Sequence, residues 1–291
     1  MVRRAKGRSA PASAPKVPPS EQVLQPRDAG RWPIWHILQL VFFTMFLQPA
    51  LLTLTLIDLA RYVDASSFLG GLLHKISLIL RPGDRLADRS AERLAWDMVL
   101  AVQGTALTQA WYCMRMHSWC HRAEGHERRE PPSELKKRSL AVHTQIEGVV
   151  FSSFSLPLLW LLASVALVLV GAPLHTGYLG TATLAGYLAL LGLWPMAHIF
   201  GAPPSPVWTR WLAAPSTALP REILVIVPCL CAWLGAGLSA AVLALDWGRA
   251  WQAWPVPCVY GAAVGVVIGH ALALGLCIAQ VYRDLRKSVH D

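Results

Sequence analysis

The sequence predicts an all-α integral membrane protein: a six-helix transmembrane bundle with a short interfacial helix and a disordered N-terminal tail. Three observations carry that expectation. The 291 residues are 54% hydrophobic and 15% charged, against about 25% charged in an ordinary soluble domain. Apolar runs of roughly 20 residues, the length needed to cross hydrocarbon, recur along the chain. The net charge of +9 sits beside those runs rather than along one soluble face, which speaks against nucleic acid as a partner.

Residues 1–31 are rich in Pro, Ser, Ala and basic residues and show no apolar period, so they read as a disordered tail ahead of a polytopic membrane domain, 32–291. The tail holds no apolar core with a cleavage site of the kind a signal peptide carries. The first span covers about 33–59, and Pro49 is expected to kink it. Phe68, Leu69, Leu72, Leu73, Ile76, Ile79 and Leu80 then recur at helical spacing in a run too short to cross. That pattern suits a helix lying in the interface, ended by Pro82 and Gly83.

The second span, about 95–114, carries Asp97, Gln103 and Gln109, which are tolerated when they face a bundle interior. The charged stretch after it, from Arg115 to Ser139, reads as a solvated loop. Spans three (about 147–170) and four (about 177–200) are separated only by GAPLHT and should form a tight antiparallel hairpin. A Pro-rich connection leads to span five, about 223–245, and span six occupies about 257–282.

Six spans put both termini on one side. Nineteen of the 26 lysines and arginines fall on that side, which assigns it to the cytosol. The loop at 245–255, the GAPL turn and the interfacial helix then face the opposite compartment. The chain has no asparagine and therefore no N-glycosylation acceptor. Its six cysteines form no C-x-x-C pair, which argues against a zinc ribbon and a disulfide scaffold.

The densest chemistry lies in LDWGRAWQAWP, residues 245–255. On a helix Trp247, Trp251 and Trp254 would share one face, with Arg249 and Gln252 on the other. Asp246 and Arg249 would each cost about 2.5–3.5 kcal/mol at the bilayer centre, so they belong in the headgroup layer. The stretch is either an aromatic belt or a docking surface for a partner protein or lipid headgroup. Gly261, Gly265 and Gly269, four apart, make a flat stripe for a closely approaching helix, inside this bundle or from a partner. His270, deep in the same span, is a functional candidate or a neutral histidine bonded to a neighbouring helix. His117, Cys120, His121 and His126 superficially resemble metal ligands but match no closed zinc spacing. H-E-x-x-H, G-x-S-x-G and a phosphate-binding glycine loop are all missing, so no catalytic residue, metal or cofactor is assigned.

Three blocks then resemble the phosphatidylinositol-glycan biosynthesis class F family. One is Gly171, Ala172, Pro173 and Leu174, followed by Thr181, Pro195 and Gly201. The second is AWLGA, residues 232–236. The third is the family pattern L-D-W-x-R-x-W-Q-x-W-P, met by Leu245, Asp246, Trp247, Arg249, Trp251, Gln252, Trp254 and Pro255. Gly248 stands where an acidic residue is expected, and Ala250 where a proline is. The resemblance covers about 147–285. It implies a multi-pass protein of the endoplasmic reticulum membrane and a non-catalytic role. Such a subunit binds and stabilises the large transferases that add ethanolamine phosphate to mannose during GPI-anchor assembly. Catalysis would belong to that partner, in the lumen, on the side of the tryptophan loop, the GAPL turn and the luminal interfacial helix. Expected partners are those transferases and membrane lipids, with no nucleic acid. Residence in the endoplasmic reticulum rests on the resemblance, since RKSVHD is not a dilysine retrieval signal. Two rivals remain. One is a membrane enzyme acting on phospholipid headgroups through Asp246, Arg249 and His270. The other is a channel or transporter, for which Gln48, Gln103 and Gln109 are few and scattered.

Overall fold

Every regular element among the described residues of the computed structural model is helical. The structure describes residues 32–80, 89–127, 142–175, 177–201, 206–214, 218–245 and 247–290. The tail at 1–31, Pro82, Gly83 and Asp246 lie outside them.

The first span, α1 (Ile34–Thr55), contains a π segment at Phe42–Leu47 immediately before Pro49. Proline lacks an N–H and its ring crowds the preceding turn, and a π bulge is one way a helix absorbs that defect without ending. A buried 3-10 turn, Ile57–Tyr62, follows. The short helix α2 (Phe68–Leu80) forms where the spacing places it, with Leu72 and Ile79 exposed.

Helix α3 (Ala91–Glu127) corrects two expectations. It does not stop at Met114, and the charged stretch that follows is not a solvated loop up to Glu127. Met116, Trp119 and Ala123 are fully buried there, continuing the stripe of Tyr112 and Cys113 while the charges occupy other faces. The Trp119 Nε1–H donates to the His36 carbonyl at 3.0 Å, its ring stacks on His36, and Arg122 donates to Gln39 at 3.2 Å. Asp97 and Gln109 do face the interior, whereas Gln103 points outward.

The third span is broken. Helices α4 (Val142–Ser153) and α5 (Leu156–Val170) meet at 47°. Ser152 and Ser153 hydroxyls bond back to the Val149 carbonyl at 3.0 and 2.7 Å, and Pro157 opens α5. Serine back-bonding and proline both loosen the helical ladder, which is why the apolar run bends here. At the other end of α5, Gly171 has φ 106°, and its N–H and that of Ala172 return to Val168 and Leu167 at 3.0 and 2.9 Å. This is a Schellman ending, available to glycine without steric cost. It turns the chain into α6 (Tyr178–Gly192), which is mostly buried and packs along α5 as the hairpin predicts. Short helices α7 (Trp194–Phe200) and α8 (Pro206–Ala213) then lead to α9 (Pro220–Ala240) and α10 (Val256–His290).

Among the described residues, four helical stretches are long and apolar enough to cross a membrane: Ile34–Thr55, Tyr178–Phe200, Pro220–Ala244 and Val256–Arg283. The bent α4–α5 pair makes a fifth if counted as one span. Among the described residues the interior holds two large apolar clusters, one around Tyr112, Trp119 and Trp194 and the other around Leu59, Tyr187 and Val259, with a small third of Ala163, Ala185 and Ala189 between α5 and α6. Outward faces of α5 and α10 expose Leu158, Leu161, Val165, Leu169, Ile268 and Leu272, as a hydrocarbon solvent requires.

Candidate interaction site at the tryptophan loop

The loop is not the helix that its tryptophan spacing suggests. Leu245 is extended, Gly248 sits at φ 58°, Arg249 is extended, and only Ala250–Gln252 makes a 3-10 turn. The left-handed residue ends any helical register, so Trp247, Trp251 and Trp254 do not share one face. Pro255 and Pro257 likewise do not stop a short helix. They stand at the entrance of α10, where a missing N–H costs nothing.

Gln252 holds the loop's shape. Its Nε2–H₂ donates to the carbonyls of Val242, at 2.9 Å, and Leu245, and its Oε1 accepts the Arg249 N–H at 3.1 Å. One amide side chain thus meets the Arg249 N–H and adds a second bond to two carbonyls that also accept from the Leu245 and Trp247 N–H groups at 3.3 and 3.0 Å. Trp247 and Trp251 meet edge to face, centroids 5.7 Å apart, and Trp247 is 56% exposed. Arg249 is exposed beside them, and the loop wraps an open recess of about 430 Å³ walled by Leu243, Leu245, Gly248 and Arg249.

Trp254 turns the other way. Its Nε1–H donates to Thr181 Oγ1 at 3.3 Å, and that hydroxyl donates to the Pro173 carbonyl at 2.7 Å. Gly177 and Gly180 leave room for the indole, since a Cβ on either would lie 3.2 or 2.9 Å from its Cδ1. The GAPL turn and the tryptophan loop are therefore one contact. Within the turn Gly171 reverses the helix, Ala172 caps it, Pro173 accepts the Thr181 bond, and Leu174 is 55% exposed.

The same end of the bundle carries the turn before α2. The Asp64 carboxylate accepts from the Ser66 N–H at 3.0 Å and the Ser66 hydroxyl at 2.9 Å. Those bonds, the backbone one first, hold its pKa below 3.8, and the positive fields of Arg249 and Arg89 add to them. Beneath lies a cluster that sequence reasoning missed. Arg61 Nε is 2.8 Å from Asp97 Oδ2 with both side chains fully buried, and Arg93 Nε is 3.1 Å from Asp97 Oδ1. Arg61 also donates to the Asp58 carbonyl at 3.2 Å, while Arg89 donates to the Arg61 carbonyl at 2.9 Å. The signal was opposite charges at the same depth, one ending span one and the other opening span two. Two arginines flank the one carboxylate, and that close pairing offsets part of the cost of burying it.

The glycine stripe lies against α9. A Cβ on Gly261 would overlap Ser239 and the Gly235 carbonyl, one on Gly265 the Cys231 carbonyl, and one on Gly269 would sit 2.5 Å from Pro228 Cα. Gly235 lies inside the AWLGA block, so that block supplies the facing surface. His270 is buried and its Nε2 lies 2.7 Å from Gln48 Oε1, a hydrogen bond between α10 and α1. Among the described residues no group of three His, Cys, Asp or Glu side chains is placed to hold a metal ion.

The geometry therefore describes a rigidly held, partly exposed surface built from three loops. A Neurospora crassa protein named glycosylphosphatidylinositol anchor biosynthesis protein 11 is 32% identical over 152 residues, 50% of this chain and 52% of its own. A Homo sapiens protein named GPI ethanolamine phosphate transferase, stabilizing subunit, is 33% identical over 105 residues, 36% of this chain and 48% of its own. A Candida glabrata protein that bears the anchor biosynthesis name is 47% identical over 49 residues, 17% of this chain and 19% of its own. The chain spans about half the length of the first of these relatives and less of the others. No solved structure matches it. The model of the GPI biosynthesis protein family Pig-F matches residues 84–274, well over half of the 291 residues, and the chain belongs to that family.

Proposed function

We propose that the protein is a non-catalytic membrane subunit that binds and stabilises an ethanolamine phosphate transferase of GPI-anchor biosynthesis in the endoplasmic reticulum. The observation that carries the reading is the division of labour within the tryptophan loop. Gln252 and Trp254 are spent on holding the backbone, and Trp247 and Arg249 are left exposed on a preformed surface. Rigid aromatic and arginine groups of that kind anchor protein interfaces at low entropic cost. The names of relatives, stabilizing subunit among them, point to the same role.

The accompanying architecture is six crossings, with residues 1–31 as a cytosolic tail and 32–291 as the membrane domain. The sixth crossing is α3. Its low hydropathy follows from its place inside the bundle, where Asp97, Thr105, Thr108 and Gln109 are buried. Both termini then face the cytosol, and α2, the GAPL turn and the tryptophan loop face the lumen.

A pull-down in mild detergent tests the function. Tagged wild-type protein should recover a large ethanolamine phosphate transferase in near-equal amount. A Trp247→Ala, Arg249→Ala double variant should lose that recovery while inserting normally, because Gln252 still holds the loop backbone. Unchanged recovery, or turnover of phospholipid by the purified protein alone, would overturn the assignment.

A further inference from the structure

Among the described residues, the guanidinium of Arg249 is exposed and has neither a hydrogen bond nor an ion pair. Its field reaches Asp64, but the short bonds of that carboxylate go to the N–H and hydroxyl of Ser66. Arg249 therefore stands as a charged donor whose five N–H groups form a fork that fits phosphate oxygens two at a time.

The guanidinium belongs to the wall of the open recess in the tryptophan loop, and Leu243, Ala244 and Leu245 give that wall apolar surface. The recess volume of about 430 Å³ lies within the roughly 300–1,000 Å³ usual for small-molecule sites. Its position says which anions are at hand. The apolar stretch Pro220–Ala244 ends at the wall, and Val256–Arg283 begins just past it. The recess thus sits where two spans leave the hydrocarbon, at the level of lipid phosphates. On the hydrocarbon side of the loop Leu234 and Leu238, one turn apart on α9, are exposed. Gln252 already fixes the backbone at Arg249, so little order remains to be lost on binding.

We propose that this recess binds the phosphate of a membrane lipid headgroup, with Arg249 as the donor and the acyl chains along Leu238 and Leu234. The inference rests on the same preformed loop as the proposed function but needs no partner protein. Inorganic phosphate shares the headgroup chemistry but has nothing to cover the leucines.

The test titrates purified full-length protein, in a maltoside detergent that carries no phosphate, with short-chain phosphatidylglycerol, diacylglycerol or inorganic phosphate. Binding is read by native mass spectrometry and by the unfolding midpoint. Phosphatidylglycerol should bind saturably and raise the midpoint, while the other two should do neither. Arg249→Gln should weaken binding about tenfold or more, the size of one lost charge-assisted hydrogen bond. The fold should tolerate that change, because the side chain is exposed. Arg249→Lys, which keeps the charge and loses the fork, should fall between. Arg283→Gln removes an exposed cation far along α10 and should leave binding unchanged. Inorganic phosphate or diacylglycerol binding as tightly as the lipid, Arg249→Gln binding like wild type, or Arg283→Gln weakening binding equally would each overturn the proposal. So would an absence of lipid binding while Arg249→Gln alone abolishes transferase recovery, which would assign the guanidinium to the partner. The titration contains no transferase and the pull-down scores only the transferase, so either reading can fail without the other.

Discussion

Gly265→Ala is a sharp test of the packing between α9 and α10. The added Cβ would overlap the Cys231 carbonyl and lie 3.3 Å from Ala232 Cα. Both are backbone atoms, so no side chain can rotate away and the two helix axes must separate. Inserting one carbon into a filled contact costs roughly 1–3 kcal/mol. Alanine in place of glycine also favours any helix by about 1 kcal/mol. Gly237→Ala isolates that second effect, since Gly237 sits on α9 with nothing within 4 Å of an added Cβ. The propensity gain cancels between the two variants, and Gly265→Ala should be less stable than Gly237→Ala by about 1–3 kcal/mol. Unfolding in mixed micelles of rising dodecyl sulfate fraction measures the difference. Equal midpoints would refute the close approach and return the glycine stripe to the role of a docking surface for another protein's helix.

Three further changes probe the loop end of the bundle. Gln252→Ala removes three hydrogen bonds, and at about 0.5–1.5 kcal/mol each it should unlock residues 245–253 to hydrogen exchange without unfolding the helices. Unchanged protection there would mean the amide does not hold the loop. Trp254→Phe keeps an aromatic ring there but loses the indole N–H that bonds Thr181, so stability should fall by about 1 kcal/mol or more and partner recovery should persist. Asp97→Ala leaves Arg61 buried opposite a missing carboxylate, and a loss of about 3–5 kcal/mol is expected, read as collapsed yield or a lowered unfolding midpoint. A fully stable Asp97→Ala protein would show that water reaches that cluster.

What the amino-acid order revealed and what it hid divide along physical lines. Apolar runs and glycine spacing are local signals, and they located α1, α2, the α5–α6 turn and the stripe on α10. The tryptophan spacing misled because Gly248 takes a left-handed conformation, which periodicity alone does not register. Charge density misled at Arg115 to Glu127, where Trp119 and Met116 bury one face of a helix whose other faces carry the charge. Arg61 with Asp97 and Trp254 with Thr181 were hidden for a different reason. Each pair lies on different elements, and only the folded bundle sets their separation. The bend at Ser153 was readable in retrospect, as three serines and a proline crowd residues 152–157.

The length of α3 has a mechanical meaning. Its 37 residues extend about 55 Å at 1.5 Å per residue, well beyond a hydrocarbon layer of about 30 Å. It is fastened near both ends to the same neighbour, through Asp97 to Arg61 after α1 and through Trp119 and Arg122 to His36 and Gln39 in α1. A stiff beam pinned in that way cannot bend locally. Tilting it by about 5° would swing the far end by about 5 Å over its length. The His121 and Glu124 end and the Asp97 end of the bundle therefore move as one lever or not at all.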